Sequence, residues 1–167
     1  MNYATISSAF LLAASLSTSL AAQTVEVKDA WVRATVQGQK ATGAFMTLTA
    51  KSGASLVGVS TPVATVAEVH EMKMEGEVMK MRAMPNGLNL PAGQSVALNP
   101  GGYHLMLMDI KLPLKADTTI PLTLIFKDSK GVESKTELKV PVSQSAPANT
   151  HAHPAHAPGK HVVKESR

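Results

Sequence analysis

His70-Glu71-Met72-Lys73-Met74-Glu75-Gly76-Glu77-Val78-Met79-Lys80-Met81 is the stretch that decides how this chain folds. From His70 to Met74 charged and soft side chains alternate with a period of two, the pattern of a strand whose successive residues leave opposite faces. His70, Met72 and Met74 then share one face and Glu71 and Lys73 the other. Read as a two-residue hairpin turn, Glu75-Gly76 sets His70 opposite Met81, Met72 opposite Met79, and Glu71 opposite Lys80 on the reverse face. Side chains directly opposite in such a pair have Cβ atoms about 4.5–5.5 Å apart, close enough for an imidazole and a thioether to hold one ion.

The same alternation returns at Tyr103-His104-Leu105-Met106-Leu107-Met108. His104, Met106 and Met108 share a face there. Leu105 and Leu107 make the other face apolar too, so this strand is expected to be internal, with its His end at a loop rim. Across the rest of the chain, short alternating or β-branched runs are expected as strands at Thr24–Thr35, Gly43–Ala50, Leu56–Ser60, Ala67–Met74, Glu77–Ala83, Ser95–Leu98, Tyr103–Ile110, Ile120–Phe126 and Ser134–Val140. Turns between them are marked by Gln37-Gly38, Lys51-Ser52-Gly53, Pro85-Asn86-Gly87, Pro100-Gly101-Gly102 and Ser129-Lys130-Gly131. No segment sustains a helical period. The expectation is an all-β sandwich or small barrel.

Composition narrows the chemistry. Of 167 residues 44% are hydrophobic, yet only 4% are aromatic and nine are methionine, so the apolar content is rich in sulfur. The net charge of +4 is spread without a block of like charges, and few rings are present to stack on bases; no nucleic-acid partner is expected. The absence of cysteine removes disulfides, thiolate zinc sites, iron–sulfur clusters, thiol nucleophiles and a blue-copper centre together. With no Cys to acylate, a lipoprotein is not expected either.

What remains is a set of imidazoles and thioethers. Copper(I) is a soft ion without strong geometric demands, and thioether with imidazole is a donor set that selects it. A methionine alone in a strand is ordinarily core filler, and a lone histidine ordinarily a hydrogen-bonded rim residue. Two His-x-Met units plus Met81 across a hairpin, with charges confined to the alternate positions, outweigh that reading. The candidate metal residues are His70, Met81, His104 and Met106, with Met72 as an additional donor. Met74, Met79 and Met108 read as packing or supporting groups, and Met46 and Met84 as core or surface.

In these residues the sequence resembles the PCuAC family of periplasmic copper chaperones, whose signature is a His, a Met eleven positions on, and a later His-x-Met. The matching residues are His70, Met81, His104 and Met106. Flanking stretches resemble it as well: Ala30-Trp31-Val32-Arg33-Ala34-Thr35, Thr42-Gly43-Ala44-Phe45-Met46, Pro91-Ala92-Gly93, and Pro100-Gly101-Gly102-Tyr103-His104-Leu105-Met106. The likeness spans roughly Val25 to Val140. It departs between Met81 and His104, where 22 residues intervene instead of the usual 21, an excess placed in the Ala83–Asn86 turn. The resemblance implies a cupredoxin-like Greek-key sandwich with an exposed copper(I) site. It implies as partner the cytochrome c oxidase subunit with the dinuclear copper centre, or a copper-assembly protein.

The ends read differently from the middle. Residues 1–22 have the apolar run Ala9–Ala14 and the small residues Ser19-Leu20-Ala21-Ala22 of a cleavable export signal, although the only positive charge before the run is the terminal amine. The expectation is a periplasmic protein with no membrane span after cleavage, a monomer, and a binding domain over 23–142. Residues 143–167 turn to Ala, Pro, Ser and His and are expected as a flexible tail, with His151, His153, His156 and His161 as a weaker copper(II) site. The competing readings are a zinc hydrolase or copper redox enzyme, and a metal-free sandwich module for assembly or adhesion. For the zinc hydrolase, His70-Glu71 lacks the second His four positions on, where Met74 stands. A non-enzymatic role is expected.

Overall fold

Alternation of side chains makes strands here throughout: in the computed structural model, which describes residues 25–147, every regular element is a strand. Along the chain these are β1 (Val25–Arg33), β2 (Ala41–Ala50), β3 (Ala54–Ser60), β4 (Ala64–Glu75), β5 (Val78–Ala83), β6 (Leu88–Leu90), β7 (Ser95–Leu98), β8 (His104–Ile110), β9 (Thr119–Lys127) and β10 (Glu133–Ser143). Each of the nine expected segments overlaps one of them. The addition, β6, is Leu88-Asn89-Leu90 paired with β3, too short to display a period in the sequence. The expected export segment at 1–22 lies outside the described residues, as does the chain from 148 on with all four tail histidines. No helix among the described residues is long and apolar enough to cross a membrane.

The strands run in the order β5-β4-β8-β2-β1-β10-β9-β3-β6, with β7 beside β2. Parallel pairing of Val32 with Val142 and Arg33 with Ser143 joins the two halves. Their apolar faces meet in one core that includes Leu48, Leu105 and Leu107 from one half and Leu56, Leu124 and Phe126 from the other. Each such fully buried side chain contributes about 1.5–3 kcal/mol. The architecture is the expected cupredoxin-like β-sandwich. Its last strand passes the expected boundary at 142: the Ser143 carbonyl accepts the Ala34 N–H at 2.8 Å.

Two local irregularities prepare the outer face of the β5-β4-β8-β2-β1 half. The pairing of β1 with β2 shifts between Lys28 and Trp31, where Asp29 has φ 51°, a left-handed conformation that Asp tolerates better than most residues. This bulge keeps both Val25 and Val32 in the core and sends Trp31 outward onto Phe45, ring centroids 4.7 Å apart. The second irregularity lies along the other edge of β2. Met46–Thr49 pair with β7 and Ala41–Ala44 with β8, so the Asn99–Tyr103 turn leaves the sheet beside Phe45.

Candidate metal centre

β8 slots between β4 and β2, and its register sets His104 directly opposite His70. Leu105 pairs with Val69 on the inner face, and burial of both holds that register. The two imidazoles therefore share the outer face, ring centroids 5.9 Å apart. Phe45 lies 6.5 Å from His104, so Trp31, Phe45, His104 and His70 form a run of rings across the sheet. Gly43 makes room for it, since a Cβ there would stand 2.6 Å from the Phe45 ring. Although the rings project from the outer face, each histidine is only 7% exposed.

Hydrogen bonding sorts the ring nitrogens. His104 Nδ1 lies 3.0 Å from the Gly102 carbonyl, which only accepts, so Nδ1 carries the proton and Nε2 keeps a lone pair. That lone pair lies 3.3 Å from Met81 Sδ, and a thioether has no proton to share. Two electron-pair donors so placed, with no proton between them, are an arrangement that a shared cation would satisfy. His70 Nε2 lies 2.9 Å from Glu68 Oε2 and donates to it. Its Nδ1 is buried with no hydrogen-bond partner, an orphaned acceptor of the kind a bound ion would satisfy.

The backbone fixes this arrangement. Asn99-Pro100-Gly101-Gly102 is a β-turn closed by the Gly102 N–H on the Asn99 carbonyl at 3.1 Å, with Gly101 at φ 86°, the pattern of a type II turn. The Gly102 carbonyl then accepts both the Met72 N–H, at 3.1 Å, and the His104 ring. One oxygen ties β4 to the orientation of the imidazole. A Cβ on Gly102 would meet Asn99 Oδ1 at 2.6 Å.

Of the residues singled out in the sequence, His104 comes together with both Met81, at 3.3 Å, and His70, ring centroids 5.9 Å apart. Met106 and Met72 join His104, Arg33 and Phe45 in lining a groove of about 300 Å³. The hairpin register differs from the expected one. Glu75 pairs with Val78, so the turn is Gly76-Glu77, His70 faces Ala83, Met72 faces Met81, Met74 faces Met79 and Glu71 faces Arg82. The reason is backbone conformation: Gly76, at φ 65°, takes the first central position, whereas a Glu75-Gly76 turn of the Asx-Gly kind needs positive φ at Glu75 as well. The shift moves each partner by two residues, an even number, so no side chain changes face. Met81 consequently reaches His104 across the sheet instead of standing opposite His70. The exposure implied by the resemblance is carried by Met81, 48% exposed, while the rings beneath are sheltered.

Glu68 was not among the expected site residues. Its signal is present in Glu68-Val69-His70, because residues two apart on a strand share a face. A ligating histidine commonly donates its other N–H to a carboxylate in this way. Among the described residues no three His, Cys, Asp or Glu side chains gather into a group that could hold a metal ion.

Comparison with known proteins gives the chain's family and its fold relatives. The LpqE-like family, described as "Putative lipoprotein LpqE-like", matches residues 25–142. The "Putative lipoprotein Lxx21020" of Leifsonia xyli subsp. xyli (strain CTCB07) is 34% identical over 125 residues, 75% of this chain and 73% of that protein. The solution structure of apo-DR1885 from Deinococcus radiodurans is 30% identical, with TM-score 0.55 over 87% of this chain and 95% of that one. A structure of the same protein described as CuI-DR1885 gives 30% identity and TM-score 0.56 over 74% and 82%. The copper-bound PCuAC domain from PmoF2, at 20% identity, shares the fold with TM-score 0.57 over 72% of this chain and 93% of that one. Two of these descriptions say lipoprotein, whereas the 167 residues of this chain contain no cysteine to carry a lipid.

Proposed function

The chain belongs to the LpqE-like family, and from that premise we propose that it is an exported copper(I) chaperone. One copper(I) ion is its cargo, held by His70, His104, Met81 and Met106, with Met72 available as a further donor. The observation that carries this reading is the pair of unprotonated donors, His104 Nε2 and Met81 Sδ, facing each other at 3.3 Å, with the His70 ring, whose Nδ1 has no partner, centred 5.9 Å from that of His104. Two imidazoles and neutral thioethers suit a soft monovalent ion. Structural relatives described as copper-bound and CuI-loaded support the same cargo.

The asymmetry of the site suits transfer. Buried imidazoles hold the ion from the sheet side, and the exposed thioether of Met81 covers it from solvent. A partner's donor approaches from that side, joins the coordination, and displaces Met81 first. The recipient is the dinuclear copper subunit of cytochrome c oxidase or a protein that assembles it, and the place of transfer is the periplasm. The chain acts as a monomer and carries out no catalysis. His151, His153, His156 and His161 add a weaker copper(II) site in the tail.

Anaerobic competition titration against a chromophoric copper(I) chelator tests the cargo site. Intact protein binds one equivalent tightly, and His70→Ala, Met81→Ala, His104→Ala and Met106→Ala each weaken binding at least tenfold. Unchanged affinity in the two histidine variants sinks the reading. For the tail, a chain ending at Pro147 binds fewer equivalents of copper(II) than the full chain; equal stoichiometry removes the tail site.

A further inference from the structure

Beyond the histidines, the β4–β5 arm carries methionine at four facing positions. Met72 pairs with Met81 and Met74 with Met79, two successive rungs on the face that bears His70. Opposed Cβ atoms in such a ladder are about 4.5–5.5 Å apart, and positions two residues along a strand are about 7 Å apart. A methionine side chain spans that distance, so neighbouring rungs can lend sulfur to one point between them. Met74 is 53% and Met79 46% exposed, so neither serves as core filling.

The reverse face of the same arm sharpens the contrast. Glu71, Lys73, Glu75, Lys80 and Arg82 occupy it, and its carboxylates are engaged: Glu75 with Lys80 at 2.8 Å and Arg82 at 3.6 Å, Glu71 with Arg82 at 3.1 Å. Charge of this kind is how an edge strand is kept from pairing with other chains. On the methionine face that protection is missing, and exposed apolar side chains take its place. A pure packing role would be served as well by Leu or Val; what all four positions share is a neutral sulfur.

We propose that Met74 and Met79, together with the Met72–Met81 rung, form an outer thioether site for copper(I), a second station between the buried histidines and solvent. This rests on the copper(I) reading of the inner site. Met81 belongs to both stations: its sulfur is 3.3 Å from His104 Nε2, and on the ladder it stands opposite Met72 and two residues from Met79. An ion leaving the histidines along Met81 meets Met74 and Met79 next, at the exposed end of the arm. The outer site holds copper(I) more weakly than the inner one because it lacks imidazole.

The test is anaerobic titration of full-length protein, labelled with 13C at the methionine methyls, with copper(I) alone. The first equivalent shifts the Met81 and Met106 methyls, and the second shifts Met74 and Met79. A Met74→Leu/Met79→Leu protein, matched in size and apolarity, keeps the first equivalent and loses the second. The outer site is refuted if the Met74 and Met79 methyls stay unmoved through two equivalents, or if the double variant still takes up the second. Movement of Met74, Met79 and Met81 while Met106 stays unmoved would uphold the outer site and overturn the inner one. Silence at every methyl would overturn both.

Discussion

At His104 one main-chain oxygen decides the chemistry. Gly102 offers a carbonyl to Nδ1, and the other nitrogen is thereby left with its lone pair free. Glu68 does the equivalent for His70, with the opposite nitrogen: Nε2–H goes to the carboxylate and Nδ1 is left with its lone pair. Such partners hold a ring's orientation and raise its basicity, and losing one commonly costs about 10–100-fold in metal affinity. Glu68→Ala is therefore expected to weaken copper(I) binding about 10–100-fold, and Glu68→Gln by less, because an amide oxygen still accepts from Nε2. The competition titration reads both. If Glu68→Ala binds like the parent, Glu68 does not support the ligand. The imidazoles were legible in the sequence, and Glu68 carries a signal in sharing the strand parity of His70, but which ring nitrogen each acceptor engages was not legible.

At the scale of the element, the β4–β5 hairpin shows how a strand pattern survives an error of register. The alternation of soft and charged residues fixes the faces, and the turn fixes the partners. Gly76 has φ 65° and a hypothetical Cβ there meets no neighbouring atom, so its requirement is conformational and not one of space. Gly76→Val is expected to cost about 1–2 kcal/mol, the penalty of a left-handed conformation for a residue with a Cβ, and Gly76→Asn much less. Denaturant unfolding of the two variants measures the difference; equal stabilities would mean that the turn is not built around this φ. The ion pairs behind the hairpin, Glu71–Arg82 and Glu75–Lys80, are exposed and add little. Their arrangement follows the real register: Lys80 stands opposite Lys73, and Glu75 relieves that contact.

Over the whole molecule, the sandwich core makes the site a prebuilt one. Val69, Leu105 and Leu107 are packed inward under His70, His104 and Met106, so the imidazoles are placed by burial elsewhere and need no ion to bring them together. A ligand that binds only the folded state adds about 2.7 kcal/mol at 100 times its Kd. At about 2 °C or more per kcal/mol, copper(I) is expected to raise Tm by about 5 °C or more, and His104→Ala to lose most of that rise. Anaerobic melts with and without copper(I) check this, and a parent protein whose Tm ignores copper(I) would contradict it. The sequence alone determined nine of the ten strands and which residues share a face, because period-two alternation is a local property. It could not show that His70 and His104 are ladder neighbours, that Met81 meets His104, or that Phe45 and Trp31 lie beside them on the same face. Those depend on β8 entering between β4 and β2 and on the bulge at Asp29, and long-range pairing of that kind is decided by which apolar faces bury together in three dimensions.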